Sequence, residues 1–218
     1  LMLLTPQTFP LILLCAAAAL VPFVICWCAA SRRFALFSES ILAALVCGFF
    51  AITLEVRGLS LLPVSRPLDW LPAVHIVLCL AAAAVIHARF GRAFWLDPLR
   101  NAVKSAAGAW RECDWLVRAG VVVTLWLLAA NLAYGIATGL FGWDEMAYHG
   151  PQAIQAFQDG RLAPLDSNLP WTYMYPKGAA VIWAWTMFFT RGDTLFHAVQ
   201  LVFGFQLLLA AYVLARRM

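Results

Sequence analysis

Apolar residues in this chain fall in long blocks instead of recurring at a helical or strand period. Five blocks have the length of a membrane crossing: about 9–30, 39–60, 69–88, 119–141 and 195–215. A hydrocarbon core of ~30 Å takes roughly 20 apolar residues as helix, so each block predicts a span. The second block carries Glu55 and Arg57 near one end. A sixth block, GAAVIWAWTMFFT at 178–190, has only 13 uncharged residues between Lys177 and Arg191. That is below the ~17 a crossing usually needs, and it predicts a re-entrant or interfacial helix. The expected class is an all-α integral membrane protein with about five transmembrane helices and short juxtamembrane helices in one long loop.

Two polar connectors stand out. Within 97–115, Asp97-Pro98 reads as a helix start, with an acid at the N-cap and proline at the first position. Leu99, Val103, Ala106, Ala107 and Trp110 then recur at helical spacing beside Arg100, Lys104 and Arg111. The pattern fits an amphipathic helix lying on anionic lipid, and equally a plain basic connector. The longer connector is 142–177. His149-Gly150-Pro151 starts a short surface helix, PQAIQAFQDG, with Ile154 and Phe157 on one face, Ala153 beside them and Gly160 as its stop. An irregular APLDSNLPW follows, and WTYMYPKG leads into the short apolar helix.

Composition supports the membrane class. The 218 residues are 64% hydrophobic and 12% charged, where soluble domains are about half apolar and a quarter charged. The first block lacks a basic leader and is too long for a signal peptide, so it reads as an anchor. The net charge of +4 is small, and no basic run or nucleic-acid motif occurs. Placement of the basic residues matters more. If 178–190 does not span, Arg32, Arg33, Arg89, Arg92, Arg100, Lys104, Arg111, Arg118, Arg216 and Arg217 share one side, against Arg57, Arg66, Arg161, Lys177 and Arg191 on the other, ten to five. The positive-inside rule then makes the first group cytoplasmic and turns loop 142–177 outward. Outward here means periplasm, cell exterior or organelle lumen. Six cysteines, five in apolar blocks, show no metal or redox spacing and read as small apolar residues.

Candidate chemistry gathers where the fourth block ends. After about 25 residues without formal charge comes WDEMAYHGP, with Asp144, Glu145, Tyr148 and His149. An acidic pair at a helix end can simply mark the water boundary. Its neighbours, and a loop that folds back through a further helix, point instead to an enclosed site at the lipid–water boundary. A carboxylate there can act as general base on a hydroxyl, or hold a divalent cation beside a phosphate. His149 reads as a polar turn residue or a proton relay. Tyr148, Trp171, Tyr173 and Tyr175 read as sugar-stacking groups or an interfacial aromatic belt. Glu55 and His75 are the two candidates for an intramembrane proton path, with Glu55 close enough to its span end to snorkel. His75, His87 and His197 otherwise read as packing or interface residues.

WDEMAYHGPQAIQAFQDGRL, followed by YPKGAAVIWAWTMFFTRGDTLFHAVQLVFGFQLLLAAYVLARR, resembles the first outer loop and next helix of polyprenyl-phosphate-sugar-dependent membrane glycosyltransferases. These are the GT-C enzymes, including protein O-mannosyltransferases and aminoarabinose transferases. The resemblance covers about 140–217. It implies Asp144 as catalytic base with Glu145 as supporting or metal-side acid, Arg161 or Lys177 at the lipid phosphate, and Tyr148, His149 and Tyr175 around the substrate. It also implies a lipid-linked sugar donor and membrane lipids as partners, with no nucleic acid. No metal site is assigned, and a divalent cation is the one cofactor under consideration. On this reading 1–118 is an N-terminal membrane module with a cytoplasmic amphipathic insert, and 119–218 begins the catalytic module. The chain departs from the family in having four spans before the acidic loop, in Tyr175-Pro176-Lys177 where a double proline is usual, and in reaching only the second family helix. Competing readings are a non-catalytic membrane subunit or truncated remnant and, behind it, a transporter.

Overall fold

The computed structural model describes residues 8–34, 36–138, 149–163 and 178–218. These residues form eight α-helices and no strand: α1 (Thr8–Ala30), α2 (Phe37–Ser60), α3 (Leu71–Phe90), α4 (Ala93–Glu112), α5 (Trp115–Thr138), α6 (Gly150–Asp159), α7 (Gly178–Thr190) and α8 (Phe196–Arg217). A 3-10 turn, Pro67–Trp70, leads into α3. Five segments are long and apolar enough to cross a membrane: Phe9–Ala30, Phe37–Ser60, Pro67–Phe90, Trp115–Gly135 and Phe196–Arg217. Their outer faces carry exposed Leu78, Leu80, Trp126, Leu207 and Leu208. Such surface costs ~25 cal/mol per Å² in water, so its natural solvent is lipid. The protein is an all-α integral membrane protein.

The core forms around the short α7. At 1.5 Å per residue its 13 residues reach only about 20 Å, too short for a crossing. Every residue from Ala180 to Thr190 is buried, so α7 is not a surface helix but the innermost element, in contact with α1, α2, α3, α6 and α8. Its two hydroxyls satisfy themselves within the helix: Thr186 donates to the Trp183 carbonyl at 2.8 Å and Thr190 to that of Thr186 at 2.9 Å. The core draws on both halves of the chain, from Cys15 to Leu71 and from Ala153 to Val199. At the periphery α5 packs along α8, with Gly135 at the contact and nearly all the rest of its span facing outward.

α4 starts at Ala93, earlier than Asp97-Pro98 predicts, and Pro98 lies inside it. Packing explains the difference. Phe94 is 4% exposed, stacks on Phe90 at 5.6 Å and carries the Arg32 guanidinium 4.6 Å from its ring centre. These contacts hold the turn before the proline in helical form, although Pro98 cannot donate to the Phe94 carbonyl.

The two ends of the bundle are distinguished by contacts. Arg217 at the end of α8 donates from Nε (2.8 Å) and Nη2 (2.5 Å) to Glu39 Oε1 at the start of α2. Arg216 and Arg217 therefore sit at the end where the Arg32–Arg33 turn joins α1 to α2. The turn after α2, α6 and the start of α8 occupy the opposite end.

Candidate functional site

Asp144, Glu145, Tyr148, Tyr175 and Lys177, together with Trp171 and Tyr173, lie outside the described residues. Their frame is described: α5 before them, α6 between them, α7 after them. His149 takes the N-cap position of α6 and Pro151 its first turn. The His149 ring meets Trp183 of α7 edge-on at 5.9 Å, and Trp183 stacks on Phe196 at 4.6 Å. Ala153 and Ala156 are fully buried, which brings the α6 backbone close to α7, and Phe157 packs on Phe188 at 5.2 Å. The expected apolar face of α6 is therefore present, with Ala156 added to it.

α6 is pinned at its far end by two arginines working reciprocally. Arg66, from the turn after α2, donates to the Gln158 and Phe157 carbonyls at the end of α6 while its Nε holds Asp69 at 2.8 Å. A guanidinium there answers the unpaired carbonyls and the negative end of the helix dipole. The Asp69 hydrogen bond holds the Arg66 pKa above its ordinary value. Arg161 reaches back, donating from Nη2 to the Leu62 and Val64 carbonyls at 3.0 and 2.7 Å. Part of the Arg161 donor edge, expected at a lipid phosphate, is thus engaged by the turn after α2. Gly160 ends α6 with φ +64°, and a Cβ on it would lie 2.6 Å from Arg66 Cβ. Both its backbone angle and this approach require glycine.

A second group of polar side chains is sealed inside the bundle. Glu55 lies five residues before the end of α2 and His75 four residues into α3, both roughly 6–8 Å from their helix ends. Glu55 does not snorkel to water. His75 Nδ1 is 2.6 Å from Glu55 Oε2, and their side chains are 4% and 8% exposed. His75 Nε2 lies 3.0 Å from the Ala18 carbonyl of α1, and Cys79 Sγ 3.4 Å from the same nitrogen. Trp185 and Phe189 of α7 approach the imidazole edge-on at 5.2 and 5.7 Å.

Proton counting follows from this geometry. A carbonyl only accepts, so Nε2 carries a hydrogen. One further proton then serves the Nδ1–Oε2 bond. Whether it rests on nitrogen (imidazolium and carboxylate) or on oxygen (two neutral groups), the pair as a whole is uncharged. Net neutrality is what makes burial at this depth affordable, because an unpaired ion there costs several kcal/mol. Glu55 Oε1 is buried with no hydrogen-bond partner among the described residues. The sequence names both residues but not their union. The available signal was two titratable groups at matching depth in consecutive antiparallel spans.

Among the described residues no three His, Cys, Asp or Glu side chains are grouped to hold a metal ion. All six cysteines are free. No protein-family model, curated protein or solved structure matches the chain, so the resemblance to the GT-C glycosyltransferases stands on the residues quoted for it.

Proposed function

We propose that this chain is the N-terminal part of a membrane glycosyltransferase that transfers a sugar from a polyprenyl-phosphate donor to an acceptor hydroxyl at the outer face of a bacterial inner membrane. The observation that carries the reading is WDEMAYHGP opening directly onto α6, a helix seated on the buried α7 and clasped by Arg66 and Arg161. A reacting loop that opens onto a helix held this firmly suits a site that must hold its groups within a fraction of an ångström.

In this mechanism Asp144 takes the proton of the acceptor hydroxyl. The acceptor oxygen attacks the anomeric carbon, the bond to the lipid phosphate breaks, and the configuration inverts. Glu145 supports Asp144, and Lys177 or the remaining N–H groups of Arg161 meet the departing phosphate charge. Tyr148, Tyr175 and His149 flank the sugar. Replacement of Asp144 by Asn in the full-length protein is expected to lower transfer by about 10²–10⁴-fold, the usual contribution of a general base. Sugar transfer at the wild-type rate, with normal protein levels, would remove Asp144 from the mechanism.

A further inference from the structure

At the opposite end of the bundle, a groove of about 360 Å³ runs between the α1–α2 turn and α4. Trp27, Arg32, Phe37, Asp97, Asn101 and Ser105 line it. Three features define what fits. First, the groove holds one cation and one anion that do not pair with each other: neither the Arg32 nor the Asp97 side chain has an ion-pair partner among the described residues. Second, Arg32 is held over Phe94 and Phe90, its guanidinium carbon 4.6 and 5.4 Å from their ring centres. The rings position the guanidinium and leave its N–H groups for an oxyanion. Third, Trp27 and Phe37, edge to face at 6.1 Å, give the groove an aromatic wall beside these charges.

A simple anion would satisfy Arg32 but would meet Asp97 with like charge. A simple cation would do the reverse. A ligand carrying both charges, a phosphate and a primary ammonium a few atoms apart, satisfies both residues. The surroundings say where such a ligand comes from. The groove opens where one span ends and the next begins. Its other wall, α4, exposes Leu96, Leu99, Val103 and Trp110, apolar side chains that belong in a bilayer. We propose that this groove binds the headgroup of a phosphatidylethanolamine-type membrane lipid, with phosphate on Arg32, ammonium on Asp97 and Asn101, and acyl chains along Trp27, Phe37 and the span ends. The site lies at the end away from the acidic loop and does not depend on the catalytic reading.

The test is native mass spectrometry of the detergent-purified chain, titrated with matched short-chain lipids. These are phosphatidylethanolamine, its N-methylated series up to phosphatidylcholine, and phosphatidylglycerol. The expected result is a falling bound fraction as methyl groups replace the ammonium hydrogens, reaching roughly tenfold weaker binding for phosphatidylcholine, the scale of one charge-assisted hydrogen bond. Asp97→Asn should abolish that discrimination, Arg32→Gln should weaken all three classes, and Arg33→Gln, outside the groove lining, should change nothing. Equal binding along the methylation series by the wild-type chain overturns the proposal without any variant. So does phosphatidylglycerol binding as tightly as phosphatidylethanolamine, which would indicate a plain basic patch.

Discussion

Glu55 and His75 show how much a single contact can decide inside a membrane. Each alone would be a buried group without its counterpart. Together they are neutral, and the Ala18 carbonyl fixes the histidine tautomer. Removing one partner should therefore cost far more than removing both. Glu55→Leu or His75→Leu is expected to destabilise the bundle by about 3–5 kcal/mol, while the double replacement recovers most of that loss. Thermal unfolding in detergent, followed as a double-mutant cycle, checks this. Additive losses would mean that the pair is not coupled. Arg161 and Gly160 make the same point more quietly. The glycine stop was readable from its position after an amphipathic run. The arginine's carbonyl partners, nearly a hundred residues earlier in the chain, were not.

Helices here succeed or fail by what they pack on. α6 was legible because its apolar face repeats at helical spacing and glycine ends it. The start of α4 was misplaced because a local rule, proline at the first helical position, lost to the packing of Phe94 under Arg32. α7 was recognised as too short to span, yet nothing in its uniform apolar run shows that it is covered on every side. The α5–α8 crossing offers a direct check on helix packing. A Cβ on Gly135 would lie 2.3 Å from His197 Cδ2 and 2.4 Å from its Cβ. Small residues at such crossings let helices approach closely. Gly135→Ala is expected to cost about 1–3 kcal/mol by overpacking, with much of it restored by His197→Ala in the same chain. Unchanged thermal stability for Gly135→Ala would show that α5 is free to shift on α8.

Across the whole bundle, span count, charge asymmetry and the Glu39–Arg217 contact agree on one arrangement. Five helices have the length and apolar content to cross, α7 does not, and Arg217 meets Glu39 at the end that holds the Arg32–Arg33 turn. The positive-inside rule predicts that this side is cytoplasmic, and thiol labelling tests that expectation. In a chain freed of its native cysteines, Ser167→Cys should react with a membrane-impermeant thiol reagent applied to intact cells, and Ser105→Cys should react only after the membrane is opened. The reverse pattern would invert the protein and move the acidic loop away from externally displayed sugar acceptors.

The membrane class, the five spans and their alternation follow from runs of consecutive residues. Length, apolar content and flanking charge are summed along the chain and need no knowledge of neighbours. Burial of α7, union of Glu55 with His75 across 20 positions, and closure of Arg217 on Glu39 across 178 are of another kind. They depend on how each helix is rotated and which helix lies beside it. Those choices are made by side chains meeting across the bundle, where sequence separation carries no information.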